Sequence, residues 1–156
     1  MKNETEVLER IRRALDGTAD RSEKFTRVAD ALREAGGYHW VGLYEAGERE
    51  IALMAWSGEG PPAHPRFSIS QGLCGEAART RQTVVVGDVR KDARYVEAFS
   101  ATRSEIVVPV IDAGTGRTRV VINVESDRAD AFGEEDRVLL ERAASAMSSA
   151  VSASPG

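Results

Sequence analysis

Three polar residues interrupt two segments of the chain that are otherwise apolar and rich in β-branched side chains, which favours strands. Glu105 lies in the first segment, whereas Asn123 and Glu125 lie two residues apart in the second and share one strand face. Trp40 and Tyr44 share a face of an earlier predicted strand. Because carboxylates beside an aromatic face bind ammonium groups and other cations, these five residues predict a pocket for a small cationic or amino-acid-like molecule. The alternative is that the polar residues face solvent on a half-covered antiparallel sheet.

Cys74 is the single cysteine of the chain and the only candidate for a nucleophile. It precedes a predicted helix, and a helix N-terminus lowers the pKa of a thiol, although the nearby Glu76 opposes that effect. A lone thiol can form a sulfenic acid, but the chain has no second cysteine to trap it as a disulfide. The other interpretation is a small buried residue at a tight Gly-Cys-Gly turn. We therefore predict no catalytic residue, with Cys74 as the one alternative.

The two histidines do not predict a metal site, because a site of this kind needs three or four converging ligands. We expect His39 to pack under a helix, on the strand face opposite Trp40. We expect His64 to lie in a flexible proline-rich loop. The chain also lacks a glycine-rich phosphate-binding loop with a lysine. No metal and no cofactor are therefore predicted.

Composition and charge narrow the class of protein. A chain of 156 residues fits one domain with a single core. Its net charge of −4, with no basic cluster, argues against nucleic acid as a partner. The first residues lack the apolar core of a signal peptide, and no segment approaches the length of a membrane span. A lone cysteine fits a reducing compartment, so we expect a cytoplasmic protein with no membrane partner.

The positions of these residues depend on a predicted order of helices and strands. Apolar residues at helical spacing predict helices over 3–15 and 22–36, the second of which ends at a Gly-Gly pair. Strands are predicted over 38–44, 51–56, 83–86, 104–111 and 119–126, with a short extended piece at 67–69. A short helix is expected over 73–80, helical character over 88–99, and a final helix from 132 to 151. Strands clustered between flanking helices indicate an α+β fold.

Several strings along the chain carry a family likeness. They are Tyr38-His39-Trp40-Val41-Gly42-Leu43-Tyr44, Gly72-Leu73-Cys74-Gly75-Glu76-Ala77, Asp88-Val89 and Ser104-Glu105-Ile106-Val107-Val108-Pro109. Together they resemble the free methionine-(R)-sulfoxide reductases, a branch of the GAF-domain family. The final helix, with Phe132, Asp136 and Leu139-Leu140, resembles GAF domains in general. The likeness extends from Ser22 to Val151.

The resemblance implies a central six-stranded antiparallel sheet, with the N- and C-terminal helices on one face and a ligand pocket on the other. It also implies a chemistry in which one cysteine attacks the sulfoxide and becomes a sulfenic acid. A second cysteine resolves it as a disulfide, which thioredoxin-type reductants reopen. Of the three cysteines of that branch, only Cys74 is kept. Ala98 matches the attacking cysteine, Phe99 matches the aspartate after it, and His64 matches another cysteine.

The substrate-binding residues that the resemblance implies are partly changed. Glu105 and Trp40 are kept, whereas two aspartates are matched by Asn123 and Glu125. Asn123 cannot neutralise an ammonium group as a carboxylate does, and Glu125 is one methylene longer. We therefore predict a stand-alone, catalytically degenerate GAF domain that binds or senses a small molecule. The alternative is an active L-methionine (R)-S-oxide reductase or a peroxide-sensing redox protein that uses Cys74 with an external thiol.

The domain boundaries and the assembly are also predicted from the sequence. We expect an N-terminal helix and linker at 1–19, a GAF domain at 20–152 and a disordered tail at 153–156. The terminal helices carry apolar stripes, namely Val7, Leu8, Ile11 and Leu15 in the first and Leu139, Ala143, Met147 and Ala150 in the last. Most of that surface is expected to cover the sheet. Because GAF domains often pair through such helices, we also expect a homodimer.

Overall fold

The structure is a computed structural model that describes residues 4–152, so the tail predicted at 153–156 lies outside the described residues. Within this part of the chain the helices are α1 (Glu4–Asp16), α2 (Arg21–Gly36), α3 (Gly72–Thr80) and α4 (Glu134–Ser152). The strands are β1 (Trp40–Ala46), β2 (Glu50–Ser57), β3 (Arg66–Ser68), β4 (Val84–Val86), β5 (Ser104–Ile111) and β6 (Thr118–Ser126). None of the described helices is both long and apolar enough to span a membrane.

The strands form one antiparallel sheet in the order β3-β2-β1-β6-β5-β4, as the resemblance implies. The central strands β1, β6 and β5 are seven to nine residues long, whereas both edge strands have three residues. Short edge strands leave little unpaired backbone for another chain to join. The predicted strands over 104–111 and 119–126 are present as β5 and β6, and their antiparallel register places Glu105 directly opposite Glu125. This register sets the position of the polar residues.

One face of the sheet carries the larger apolar core. Helices α2 and α4 lie on this face, and α1 packs across both of them. The predicted helical stripes are mostly buried there, including Val7, Ile11, Leu139, Ala143 and Met147. Alternate strand residues complete the core, namely Val41, Leu43, Ile106, Val108, Val110, Val120, Ile122 and Val124. The terminal helices therefore bury most of their apolar surface inside the domain.

The connection from α2 into β1 differs from the prediction. Gly37 adopts the left-handed conformation (φ 64°) that ends α2, and its N–H donates to Arg33 O. After this turn Tyr38 lies outside β1 and packs with the helical layer, where its hydroxyl donates to Asp136 Oδ1 at 2.8 Å. His39 also lies outside β1 and is exposed, so the prediction that it packs under a helix is wrong.

The helical character predicted over 88–99 is limited to a single 3-10 turn at Val89–Lys91. Asp88 Oδ1 accepts the Arg90 N–H at 3.1 Å, and Asp92 Oδ1 accepts the Arg94 N–H at 2.9 Å. Such local bonds from side chain to backbone compete with helical hydrogen bonds. The chain beyond Asp92 is therefore irregular and free to follow the sheet surface.

The second face of the sheet is covered by α3 and by two irregular segments, residues 57–65 and 92–102. Helix α3 buries Leu73, Cys74, Ala77 and Ala78 against this face. Strand residues of the same layer include Trp40, Tyr44, Val107 and Val121. The layer is thinner than the helical one and contains the polar residues of interest.

Gly42 provides a test of packing on this face, because it lies under the ring of Trp40. A Cβ added at Gly42 would lie 2.2 Å from Trp40 Cη2. We expect Gly42→Ala to displace the indole and to lower the free energy of unfolding by about 1–3 kcal/mol, the usual cost of overpacking. Urea unfolding followed by circular dichroism measures the change.

Gly17→Ala is the matched control, since its added methyl would meet neighbouring atoms only at 3.5 and 3.6 Å, which are ordinary contacts. We expect it to change the free energy of unfolding by no more than about 0.5 kcal/mol. Equal losses in the two variants would contradict the placement of the Trp40 ring over Gly42.

Candidate small-molecule site

A row of side chains crosses the second face of the sheet, one from each central strand. Trp40 of β1 lies opposite Glu125 of β6, and Glu125 lies opposite Glu105 of β5. Asn123 lies in the next row of the same face, opposite Gly42. Directly opposed residues have Cβ atoms about 4.5–5.5 Å apart and project from the same face. The antiparallel register therefore brings the predicted polar residues together.

A small cavity of about 20 Å³ lies over this face, with room for about one water molecule. Four of the five residues predicted to bind a ligand line it: Tyr44, Glu105, Asn123 and Glu125. The other lining residues are His64, Phe67, Gly72, Cys74, Val96, Glu97 and Ala98. The lining contains several acceptor oxygens, and none of its residues among the described part of the chain is a lysine or an arginine.

Trp40, the fifth predicted residue, lies beside the cavity rather than in its lining. Its side chain is buried, and its ring meets Phe99 edge to face with centroids 5.1 Å apart. The indole Nε1–H donates to Gly60 O at 3.1 Å. In this position Trp40 supports the segments that cover the cavity.

The hydrogen bonds on the cavity wall are incomplete. Glu125 accepts from Thr102 Oγ1 at 2.7 Å and from Asn123 Nδ2 at 3.0 Å. Asn123 is 3% exposed, and its Oδ1 has no partner among the described residues. Glu105 is 4% exposed, and no described residue donates to its carboxyl group. Buried acceptors without partners are uncommon, so this wall offers acceptor atoms to a donor in the cavity.

Burial of the two carboxyl groups changes their ionisation. Burial raises the pKa of Glu105 well above its usual range, and the facing Glu125 raises it further. Burial also raises the pKa of Glu125, although hydrogen bonds from Thr102 and Asn123 oppose that rise. Burial raises the pKa of the Tyr44 hydroxyl as well, which keeps it protonated. Clusters of shifted pKa values are frequent at functional sites.

Cys74 lies in the first turn of α3 and is 4% exposed. Burial raises the pKa of its thiol well above the usual range, and the Glu105 and Glu125 carboxyls raise it further. These effects outweigh the lowering that the sequence predicts from the helix N-terminus. The thiol is therefore protonated near neutral pH, and a protonated buried thiol is a weak nucleophile.

Three residues of the site are not predicted from local sequence patterns. Thr102 precedes β5 in an irregular segment, so no strand or helix periodicity marks it. His64 and Ala98 line the cavity together with Cys74. Only the family resemblance, which matches His64, Cys74 and Ala98 to three cysteines, connects these positions in the sequence. The loop of His64 is held by a hydrogen bond from Ala63 N–H to Ala98 O at 3.0 Å.

Residues 92–102, here called the cover segment, close the cavity on the side away from the sheet. Phe99 attaches this segment to the ring of Trp40. Arg94 binds Asp92 at 2.6 Å and lies 3.9 Å from Glu76 of α3. Exposed ion pairs contribute little to stability, whereas an aromatic pair adds about 0.5–1.5 kcal/mol beyond its area burial. Phe99 therefore attaches the cover segment more firmly than the Arg94 ion pairs do. Hydrogen bonds from Thr102 Oγ1 to Glu125 and from Ala63 N–H to Ala98 O also hold it.

Metal ligands do not cluster in the part of the chain that the structure describes. No group of three or more His, Cys, Asp or Glu residues there has an arrangement that could hold a metal ion. His39 is exposed before β1, and His64 lies at the cavity. The absence of a metal and of a cofactor stays a prediction.

Comparisons with known proteins bear on the family and the fold of this chain. A family model described as "GAF domain" matches residues 18–152. "GAF domain-containing protein A" of Dictyostelium discoideum is 32% identical over 135 residues, which cover 86% of this chain and 83% of that protein. The "Free methionine-R-sulfoxide reductase" of Saccharomyces cerevisiae is 30% identical over 153 residues, with coverage of 91% and 84%. The structure of "free methionine-R-sulfoxide reductase from neisseria meningitidis in complex with its substrate" superposes with a TM-score of 0.84 at 31% identity, covering 96% and 89% of the two chains.

The buried Glu105 carboxyl predicts a specific dependence of stability on pH. Its folded-state pKa is raised above the unfolded value near 4.5, so the folded protein holds the proton more tightly. The contribution of this group to the free energy of unfolding is full below pH 4.5 and declines as pH rises toward the folded-state pKa. The decline is at most about 1.4 kcal/mol per pH unit for one proton.

Glu105→Gln removes this titration, so we expect its stability relative to the wild type to increase from pH 5 to pH 8. Urea unfolding at each pH measures the difference. Glu59→Gln is the control, because it makes the same substitution at an exposed carboxylate between β2 and β3. A Glu105→Gln difference that stays constant from pH 5 to pH 8, or that only matches the control, would contradict the raised pKa.

Proposed function

Since the chain belongs to the GAF-domain family, we propose that it is a catalytically degenerate relative of the free methionine-R-sulfoxide reductases that binds or senses a small molecule. The observation that carries this proposal is the buried wall beside the cavity, where, among the described residues, Asn123 Oδ1 has no partner and no donor reaches the Glu105 carboxyl. A wall of this kind lowers the stability of the fold, because burying polar groups without hydrogen-bond partners costs free energy. A bound donor would recover that cost.

The cavity lining supports the loss of reductase activity. The resemblance matches His64, Cys74 and Ala98 to the three cysteines of the reductase branch, and all three line the cavity. Only Cys74 carries a thiol, so a disulfide cannot form within the chain. An alanine at the position of the attacking cysteine has no group that could attack a sulfoxide.

The chemistry of the lining supports a ligand that is cationic or amino-acid-like. Carboxylates and an amide oxygen are acceptors, so a ligand with N–H donors satisfies them, and a positive charge on that ligand strengthens its hydrogen bonds to an ionised carboxylate. The relative from Neisseria meningitidis was solved in complex with its substrate, which supports a ligand site in this fold. The tyrosine at position 44 adds a hydroxyl on the neighbouring strand.

Ligand binding at this site requires movement of the cover. A cavity of about 20 Å³ has room for one water-sized group and not for a whole amino acid. The cover segment is irregular and is held by the Phe99–Trp40 contact and by hydrogen bonds from Thr102 to Glu125 and from Ala63 to Ala98. We propose that this segment opens to admit the ligand and then closes over it.

The alternative role, a redox protein that uses Cys74 with an external thiol, is not favoured. The pKa of this thiol is raised by burial and by two carboxyl groups, so the reactive thiolate is scarce near neutral pH. A homodimer that pairs through the terminal helices and a cytoplasmic location stay predictions from the sequence.

Reductase activity is the first test of this function. We expect the purified protein to show no turnover with free methionine-R-sulfoxide and a thioredoxin reducing system, measured by NADPH consumption. The Saccharomyces cerevisiae reductase, assayed under the same conditions, is the positive control. Turnover that Cys74→Ser abolishes would contradict the proposed degeneracy.

Ligand binding is the second test. We expect a thermal-shift screen of amino acids, sulfoxides and polyamines to find a stabilising amine. A ligand at one hundred times its Kd adds about 2.7 kcal/mol, which corresponds to roughly 5–10 °C in Tm for a domain of this size. The shift should shrink in Glu105→Gln and persist in the exposed control Glu59→Gln. A hit that Glu105→Gln leaves unchanged would place the ligand elsewhere, and a screen with no hit would refute the binding role.

A further inference from the structure

Two carboxyl groups face each other on the cavity wall with no cationic side chain between them. Glu105 and Glu125 are directly opposed in the β5–β6 register and are 4% and 1% exposed. Like charges directly opposite on a sheet repel each other, and the low polarity of a buried site strengthens that repulsion. Two carboxylates that share such a site cannot both stay ionised without a cation.

The surrounding titratable groups do not supply that cation. Burial keeps Tyr44 and Cys74 protonated and neutral. Asp92 has a pKa lowered by its hydrogen bond with Arg94, so it is ionised and adds negative potential at Glu105. The titratable groups that face the pair come from β1, from α3, from the cover segment and from the loops that precede β1 and β3. They are Tyr44, Cys74, Asp92, Tyr95, Glu97, His39 and His64.

The two histidines among these groups lie at the protein surface. His39 and His64 are both exposed, so water screens any charge that they carry. A positive His39 lowers the pKa of Glu125, but it touches neither carboxyl group through a hydrogen bond among the described residues. Charge balance inside the cavity is therefore left to a proton or to a ligand.

We propose that Glu105 and Glu125 share one proton in the protein without ligand, and that the cationic group of the ligand replaces this proton when it binds. On binding, the O–H bond of the shared carboxyl breaks and the proton passes to solvent. The cation then faces two carboxylates. This inference rests on the proposed function, since it takes the cavity as the place where the ligand binds.

The hydrogen-bond inventory of the wall indicates which cations can take the place of the proton. A proton satisfies one carboxyl oxygen, whereas Asn123 Oδ1 and the other oxygen of Glu105 stay without donors among the described residues. A primary ammonium group brings three N–H donors in a volume close to that of a water molecule, which matches a cavity of about 20 Å³. A quaternary ammonium group has the same charge, no N–H donor and a larger volume, so it should be excluded.

The shared proton is tested first without any ligand. We expect the side-chain carboxyl carbons of protein labelled with ¹³C-glutamate to show one buried carboxyl that remains protonated at pH 6. Glu105→Gln should remove the carboxyl signal that stays protonated at pH 6, because burial and the facing Glu125 charge raise the pKa of Glu105. Glu59→Gln should leave both buried signals unchanged. Titration of both buried carboxyls near pH 4.5 in the wild type would overturn the proposal.

The exchange of proton for cation is tested with methylammonium as the probe. We expect calorimetry in buffers of different ionisation enthalpy to show release of about one proton per bound methylammonium. The affinity should rise by up to about tenfold per pH unit between pH 5.5 and 7.5. Glu105→Gln should weaken binding and flatten its dependence on pH, and tetramethylammonium at equal ionic strength should not bind.

The outcomes separate this inference from the proposed function. Methylammonium binding whose affinity is constant from pH 5.5 to 7.5 would overturn the exchange and leave ligand binding intact. Equal binding of tetramethylammonium would overturn the requirement for N–H donors. A failure of every amine to bind at any pH would refute the proposed function, whereas the carboxyl titration would still decide whether the proton is shared.

Discussion

The register of β5 against β6 is the constraint on which the second face of this domain depends. It places Glu105 opposite Glu125 in the interior and sets Asn123 beside them. A shift of either strand by one residue would send the polar side chains of that strand to the helical face, because strand side chains alternate. The alternating valines and isoleucines of both strands prevent that shift, since the same change would move them out of the helical core.

The two faces of the sheet therefore differ in what they bury and in how much they stabilise the fold. The helical face buries a continuous apolar core under α2 and α4 and provides most of the stabilisation, because hydrophobic burial is proportional to apolar area. The second face is interrupted by two carboxyl groups and an amide, which are costly to bury. Such a wall persists in a marginally stable domain only when the rest of the core can support its cost. The placement of the polar residues on the thinner layer fits a binding role better than a structural one.

The cavity brings together three positions that the family resemblance links. His64, Cys74 and Ala98 come from three separate segments and meet at the same cavity. Phe99, next to Ala98, packs on Trp40, so an aromatic contact holds the cover where the resemblance implies an aspartate. A contact of this kind holds a segment closed without any reactive group. The result is an enclosed acidic hollow with a single protonated thiol.

The sequence by itself determined the α+β order and the shared strand face of Asn123 and Glu125, because helical spacing and strand alternation are local properties. The family resemblance implied the antiparallel sheet, and the β5–β6 register of the folded chain brought Glu105 to the same face. The sequence did not determine the path of residues 57–65 and 92–102, which have no periodicity and are positioned by contacts between distant parts of the chain. The ionisation of Cys74 was beyond local patterns for the same reason. Its helix N-terminus predicts a lowered pKa, but burial and the two carboxyl groups, which only the tertiary structure brings near, raise it.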